Sequence, residues 1–269
     1  PSSRIEYADD ETILRASAGA DAIVICAGEF PYSEGSGNIY DHELPESQLD
    51  LIRQAQQTGL PVILVMIAGR PRGISKVYRG CDAVVWAGLP GCEGAEAFVE
   101  VLSGKVNPSG KLPFSYPVAD GHFYTYDHKL MDKNHFAGLS DDRTIMESFG
   151  HGLSYSEFEY SNMEISDSLL SKSGELTVSV DVKNTGERKG KEAVLWYIQD
   201  EVGSITRPLR QLKSFEKKEI EAGETQRFSF TINPKRDLSF PIEDGELLLE
   251  AGFFKVMTGR LVKRFKLLP

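Results

Sequence analysis

The sequence predicts an α/β domain followed by an all-β domain. In the first part of the chain, continuous apolar runs alternate with stretches of helical periodicity, as in a parallel sheet joined by helical crossovers. In the second part, apolar residues alternate with polar ones, and turn sequences such as "NTGERKG" and "EDGE" separate the runs. A length of 269 residues suffices for two domains, each with its own core. We therefore expect a partial parallel-sheet α/β sandwich followed by an immunoglobulin-like β-sandwich of the fibronectin type III kind.

Three apolar runs in the first part are typical of parallel strands that are covered on both faces. They are "DAIVICAG" (21–28), "PVILVMIAG" (61–69) and "DAVVWAG" (82–88). Trp86, in the third run, is expected to lie in the core. A sheet with only these strands leaves an edge unpaired. We therefore expect either that a partner segment completes this domain or that the chain is part of a longer one.

Four segments around these runs are predicted to be helical. The clearest has Pro45 at its first turn, keeps Leu49, Ile52 and Ala55 near one face, and stops at Gly59. The four predicted helices span residues 9–20, 45–59, 73–80 and 91–104. This order of strands and helices predicts right-handed crossovers.

About seven short strands are predicted in the second part of the chain, beginning with "FEYSNMEIS" and ending with "LVKRFKLL". Within "GELTVSVDVKNTG", the alternation places Val178, Val180 and Val182 on one face of a strand and polar residues on the other. The expected domains are the α/β sandwich over 1–113, a packed linker rich in Gly, Pro, His and aromatic residues over 114–157, and the β-sandwich over 158–269.

Composition and motif spacing argue against several classes of function. The net charge of −10 argues against a nucleic-acid or anionic-membrane partner, and no apolar run reaches the length of a membrane span. The five histidines lack metal-ligand spacing, so no metal site is expected. The glycine-rich stretch "GLPGCEGAE" lacks the spacing of a P-loop or a dinucleotide-binding turn, so no nucleotide cofactor is expected. No Gly-x-Ser-x-Gly elbow indicates a serine hydrolase.

The cysteines are expected to be free thiols. Cys81 and Cys92 flank a strand that separates them by roughly 20 Å, which is too far for a disulfide. Cys26 and Cys81 lie in or beside apolar runs and are therefore expected to be buried.

Two glutamates lie in the stretch "GEFPYSEGSGN", which begins at Gly28. Glu29 ends the first predicted strand, and Glu34 lies in the turn that follows. Ligands of open α/β sheets bind beyond the carboxyl ends of the strands. The position alone leaves open whether Glu34 is a catalytic or binding residue or a solvated loop acid. A strand-end acid such as Glu29 is more often a hydrogen-bonding support for the loop.

A set of motifs in one order resembles glycoside hydrolase family three, the exo-acting β-glucosidases and their relatives. The motifs are "GEFPYSEGSGN", "LPESQLDLI", "VILVMIAGRP", "DAVVWAGLPGCEGAEAFVEVLSGKVNPSGKLPFSYP", "FGHGLSYSEFEYSN", "VDVKNTGERKGKEAVLWYIQD" and "RPLRQLKSFEKKEIEAGE". They cover nearly the whole chain and resemble only the carboxyl-terminal half of such enzymes. In that half an α/β sandwich carries the acid/base glutamate, and a fibronectin-type domain often follows.

The resemblance implies a retaining β-glycosidase, most of all a β-glucosidase, that acts on a β-glucoside or a β-glucan oligosaccharide without a cofactor. Glu34 matches the acid/base glutamate of the family, and Glu29 is the second choice. The nucleophilic aspartate is expected on an amino-terminal barrel domain or chain. Phe30 and Tyr32 flank Glu34 and either form an apolar wall against a sugar or anchor the loop. After Glu34 many members have Tyr-Asp-Arg, where this chain has Ser-Gly-Asn at 36–38.

Two rival functions stay open at this point. One is a module that binds a glycan or a partner without catalysis, and the other is a nucleotide-binding α/β protein. The compartment is unknown from the sequence, although the resemblance favours a periplasmic or secreted protein.

Overall fold

The computed structural model describes residues 13–121, 125–127 and 145–269. These residues form two compact units. The first unit comprises the described residues up to Phe98 together with 116–121 and 145–146, and the remaining described residues form the second. An α/β part precedes an all-β part, so the predicted fold class is confirmed. The domain boundaries predicted from the sequence stay predictions.

The first unit is built on a parallel sheet of three strands in the order β1-β2-β3. The strands are β1 (Ile23–Gly28), β2 (Val62–Ile67) and β3 (Ala83–Gly88). All three predicted strands are therefore present, and their parallel pairing places their carboxyl ends at one edge of the sheet. Two short strands, β4 (Tyr116–Pro117) and β5 (Ile145–Glu147), form a separate pair.

The helix between β1 and β2 confirms its sequence prediction. The helices of the α/β part are α1 (Ile13–Ala16), α2 (Glu46–Gln57), α3 (Ser75–Tyr78) and α4 (Gly94–Leu102). In α2, the predicted inward residues Leu49, Ile52 and Ala55 are fully buried. Pro45 has extended backbone angles and lies directly before the helix, at the N-cap position.

The other helices are shorter than the sequence predicts. The predicted helix at 9–20 is wrong in extent. Residues 9–12 lie outside the described part of the chain, and α1 ends at Ala16 because a turn containing Gly19 in the left-handed region follows it. None of the described helices is both long enough and apolar enough to cross a membrane.

Strand β1 is covered on one face only. Ile25 and Ala27 are buried, whereas Val24 is 50% exposed and Cys26 is exposed. The predictions that both faces of this strand are covered and that Cys26 is buried are therefore wrong. The reason is that β1 is an edge strand whose Val24 face is left largely uncovered by the described residues.

Two further expectations about burial in the first unit are also corrected. Trp86 is half-buried in β3, the other edge strand, and does not lie in the core. Cys81 is half-buried as well, and all three cysteines are free thiols. Edge strands have a neighbour on one side only, so apolar residues on them stay partly exposed unless a further element covers them.

The second unit is a β-sandwich. One sheet has the order β10-β9-β14-β15-β7 and the other β11-β8-β6. A short helix, α5 (Pro234–Asp237), follows β11. The strands are β6 (Phe158–Ile165), β7 (Leu169–Leu170), β8 (Leu176–Asn184), β9 (Gly190–Asp200), β10 (Gln211–Ile220), β11 (Thr225–Ile232), β12 (Phe240–Pro241), β13 (Leu247–Leu248), β14 (Gly252–Thr258) and β15 (Leu261–Leu267). Strands β12 and β13 form a separate hairpin.

The core of the sandwich is made from its own strands. Val178, Val180 and Val182 are fully buried, which confirms the predicted alternation along β8. Trp196 on β9 is fully buried in the same cluster, whose members all lie within residues 158–269. A buried cluster of this kind supplies the hydrophobic stabilisation of a domain from within one segment of the chain.

We predict that residues 158–269 fold alone, whereas residues 1–113 do not. The sandwich contains its whole core, but the three-stranded sheet leaves the Val24 face of β1 exposed. The two pieces should be expressed separately and melted, with tryptophan fluorescence as the probe, because each contains one of the two tryptophans of the chain. A soluble 1–113 piece with a cooperative melting transition would contradict this prediction.

Asn184 is a second determinant of sandwich stability. Its fully buried side chain donates to the carbonyl groups of Arg188 and Ile220, each at 2.9 Å, and accepts from the Gly186 N–H at 3.0 Å. Asn184→Ala removes all three of these bonds, although in the whole chain the Arg188 carbonyl group still accepts from the Ser156 hydroxyl, and should lower the free energy of unfolding by about 1–3 kcal/mol.

Urea unfolding of the 158–269 piece, followed through the fluorescence of its single tryptophan, Trp196, measures this change. Lys183→Ala is the matched control, because Lys183 is the exposed neighbour on the same strand and should change the free energy by less than about 0.5 kcal/mol. Equal effects of the two substitutions would show that the Asn184 hydrogen bonds contribute nothing.

Candidate functional site

The end of β1 is held in place by close backbone contacts. A Cβ atom on Gly28 would lie 1.9 Å from the carbonyl oxygen of Ile67, so only glycine fits at this position. The next residue, Glu29, donates its N–H to the same carbonyl oxygen at 3.0 Å. The side chain of Gln48 on α2 accepts from the Gly28 N–H at 2.9 Å and donates to the Gly28 carbonyl group at 3.0 Å. The chain therefore leaves β1 in one fixed direction.

Glu29 points into the unit. Its side chain is only 9% exposed and lies between two arginines that follow β2. Its Oε1 atom is 2.9 Å from Nε of Arg70 and 3.4 Å from Nη1 of Arg72. The contact with Arg70 is an ion pair that lacks the geometry of a hydrogen bond. A carboxylate enclosed by two guanidinium groups is suited to holding a loop in place.

Glu34 has a different environment. It begins a short 3-10 turn, Glu34–Gly37, and is exposed. Among the described residues, its carboxyl group has no hydrogen-bond or ion-pair partner. Its φ angle is 46°, in the left-handed region, which costs a non-glycine residue about 1–2 kcal/mol. Strained backbone of this kind clusters at functional sites.

The two aromatic residues beside Glu34 differ in their contacts. The guanidinium carbon of Arg70 lies 4.7 Å from the centre of the Tyr32 ring. The same ring packs so closely on Gly37 that a Cβ atom there would lie 2.3 Å from it. Phe30 is 85% exposed. Of the two roles expected from the sequence, the contacts of Tyr32 favour the anchor, whereas Phe30 is available to a ligand.

The sequence did not single out Arg70 and Arg72, although both contact residues 29–37, the loop of Glu34. They follow β2 in the stretch "AGRPRG", at the carboxyl end of the strand next to β1. Adjacent parallel strands place the loops at their carboxyl ends side by side. Basic residues after the second strand and acidic residues after the first were the signal that could have found this pairing.

The chemistry available at the turn Glu34–Gly37 is that of the exposed carboxyl group of Glu34. Gly28, Glu29 and the two arginines form a rigid support for the loop. Glu34 extends from this support on an ordered turn. Among the described residues, no group of three or more His, Cys, Asp or Glu side chains could hold a metal ion. A carboxyl group in this setting is suited to proton transfer.

A cavity in the second unit is too small for a substrate. Its volume is about 10 Å³, which is the size of one water molecule. Asp200, Arg207 and Lys213 are among the residues that line it. Burial raises the pKa of Asp200 and lowers the pKa of Arg207 and that of Lys213. These side chains form an internal polar cluster of the sandwich.

Comparison with known proteins decides the family. Residues 5–155 match the glycosyl hydrolase family 3 C-terminal domain. The chain belongs to glycosyl hydrolase family 3. Residues 192–262 of this family 3 chain also match a fibronectin type III-like domain, in agreement with the sandwich of the second unit.

The chain is similar to longer glycosidases. It is 35% identical over 262 residues to a lysosomal β-glucosidase of Dictyostelium discoideum, a match that covers 93% of this chain and 31% of the relative. It is 32% identical over 254 residues to a β-xylosidase of Formosa agariphila, covering 91% of this chain and 34% of the relative. The family 3 chain thus spans about a third of the length of these relatives.

A solved structure has a similar fold. The β-glucosidase of Erythrobacter marinus superimposes with a TM-score of 0.87 at 32% sequence identity. The match covers 95% of the family 3 chain and 35% of the solved chain.

Proposed function

We propose that this chain is the carboxyl-terminal part of an exo-acting, retaining β-glycosidase in which Glu34 is the acid/base residue. The observation that carries the proposal is the exposed carboxyl group of Glu34 on a strained turn, beyond the carboxyl end of a parallel sheet. Membership of glycosyl hydrolase family 3 supports the reaction class. Glu29 was the second choice, and its burial between two arginines makes it a support of the loop.

The proposed reaction is a double displacement at the anomeric carbon. An aspartate attacks this carbon and forms a glycosyl-enzyme, while Glu34 gives its proton to the oxygen of the leaving group. Glu34 then takes a proton from water, which attacks the anomeric carbon and releases the aspartate. The two inversions together retain the β configuration.

The nucleophilic aspartate is proposed to lie on an amino-terminal barrel domain or chain. Support comes from the relatives, since the chain matches only about a third of their length. Glu34 is suited to reach such a partner because it is exposed and has no partner among the described residues. The partner would also enclose Glu34, and burial beside the negative charge of the aspartate raises the pKa of a general acid.

The proposed substrate is a terminal β-linked sugar of a glycoside or a β-glucan oligosaccharide, with glucose as the first candidate. The β-glucosidase relatives support glucose, and the β-xylosidase relative supports xylose as the second candidate. Phe30 is exposed beside Glu34, and aromatic rings of this kind present a large apolar surface to a ligand.

We predict that Glu34→Ala in the complete enzyme slows glycosides with poor leaving groups by about 10²–10⁴-fold, the usual contribution of general acid–base catalysis. Activated aryl glycosides need little protonation, so their first step should be spared. Added azide should restore part of the second step by attacking the anomeric carbon in place of water and displacing the aspartate.

Kinetics with a leaving-group series, with and without azide, measure both effects. Asp21→Ala is the matched control, because Asp21 is an exposed carboxylate near the amino end of the same strand, away from the site. If the chain belongs to a binding module without catalysis, the complete wild-type protein should show no turnover of any glycoside. If Glu34→Ala has normal kinetics, Glu34 is not the acid/base residue.

We also predict that the 269-residue chain alone does not hydrolyse an aryl β-glucoside. One carboxyl group cannot carry out a double displacement without its nucleophilic partner. Incubation of the purified chain with a 4-nitrophenyl glycoside is the measurement. Turnover by the chain, free of any other polypeptide, would contradict the proposed division of the active site.

A further inference from the structure

Arg70 contacts the loop of Glu34 at three points. Its Nε atom lies 2.9 Å from the Glu29 carboxylate, and its guanidinium group lies over the ring of Tyr32. Its Nη2 atom donates to the carbonyl group of Gly37 at 2.6 Å. Two of these contacts precede Glu34 in the chain and the third follows it. One side chain therefore joins both ends of the segment that carries the carboxyl group.

These contacts use the shape of arginine as well as its charge. The planar guanidinium stacks on an aromatic face and still directs N–H groups to an acceptor at its edge. A lysine has one point charge and cannot make the stacking and edge contacts together. With a side chain only 26% exposed, Arg70 is also partly shielded from solvent, which strengthens its electrostatic contacts.

The Tyr32 ring completes the packing of the loop. It lies against Gly37, where the absence of a Cβ atom allows the backbone to approach the ring. Arg70 thus contacts Tyr32 and the carbonyl group of Gly37, while these two residues pack on each other. Such mutual packing restricts the backbone angles of the turn, including the strained angle at Glu34.

Arg72 can hold Glu29 and the start of the loop in place when Arg70 is replaced. It is an ion-pair partner of Glu29 at 3.4 Å and donates to the carbonyl group of Glu43. Its own carbonyl group accepts from the buried hydroxyl of Tyr116 at 2.7 Å. Glu29 therefore retains a cationic neighbour when Arg70 is replaced, and the sheet does not depend on Arg70 for its core.

We propose that Arg70 is a positioning residue for Glu34, which holds the carboxyl group at the place where it meets the leaving-group oxygen. The inference rests on the proposed acid/base function of Glu34. Arg70 acts through the loop, since its contacts go to Glu29, Tyr32 and the backbone of Gly37.

The first test is Arg70→Met in the complete enzyme. A displacement of a catalytic group by about 1 Å costs on the order of 10²-fold in rate. We expect this loss in kcat/KM for glycosides with poor leaving groups and a much smaller loss for activated ones, with partial rescue by azide.

Arg53→Met is the control for loss of an arginine from the same unit. Arg53 forms ion pairs with Glu46 and Asp50 on the surface of α2 and does not contact the loop. Arg53→Met should not change how kcat/KM depends on the leaving group. Arg70→Lys should fall between wild type and Arg70→Met, because it keeps a positive charge beside Glu29 and loses the stacking on Tyr32.

A double-mutant cycle gives the decisive result. If Arg70 acts through Glu34, Arg70→Met should change kcat/KM by less than about threefold in a Glu34→Ala background, because the group it positions is already absent. A loss of about 10²-fold in that background, or an equal loss for all leaving groups in the single variant, would overturn the proposal.

The failure of this inference is distinguishable from the failure of the proposed function. Normal kinetics of Glu34→Ala would refute the function and the inference with it. A defect in Glu34→Ala together with a normal Arg70→Met would refute the inference alone. If Arg70→Met and Arg70→Lys both fail to fold by circular dichroism, Arg70 is a residue of the fold and the inference is also refuted.

Discussion

The close approach of Gly28 to the carbonyl group of Ile67 is the contact on which the candidate site depends. It brings the carboxyl end of β1 against that of β2, and it leaves no room for a side chain. The loop after β2 therefore begins beside the loop after β1, within reach of an arginine side chain. A side chain at residue 28 would separate the two strand ends and with them Glu29 and its two arginine neighbours.

Rigidity and strain are divided between the two glutamates of the loop. The Glu29 side chain is only 9% exposed and forms ion pairs with Arg70 and Arg72, so it gives the loop a fixed origin. Glu34 is exposed and has an unfavourable φ angle, so it contributes nothing evident to the stability of this unit. The anchoring contacts of Arg70 offset the backbone strain. Such a division is expected where a side chain is placed for chemistry instead of packing.

The sequence predicted those parts of the fold that are specified by local periodicity. The inward residues of α2 and the alternating valines of β8 were correct because each element buries one face against its own unit. Cys26 and Trp86 were wrong for a physical reason. An apolar run indicates that a strand is suited to being covered on both faces. It does not reveal whether the described residues include the element that covers the strand.

The candidate site was predictable only in part. Glu34 could be named from its place after a strand and from a family motif, since both are local features of the sequence. Arg70 was missed, because its contacts reach residues more than thirty positions away, such as Gly37, and only its place after the neighbouring parallel strand pointed to them. Such contacts depend on tertiary structure, and the hydrophobic periodicity of a single sequence does not reveal them.

The anchoring of the loop through Tyr32 and a backbone carbonyl group has a consequence for how the enzyme can diversify. Gly35, at the tip of the turn, is not needed to hold it, because a Cβ atom there would meet no atom within 4 Å. Ser36 differs, since its hydroxyl group bonds to the backbone of Ser33 and helps to close the turn. New side chains can therefore be introduced at residue 35, beside the acid, without disturbing its support. Under the proposed function, Gly35 is accordingly a position where altered leaving-group preference can evolve, or be engineered, at little cost to the fold.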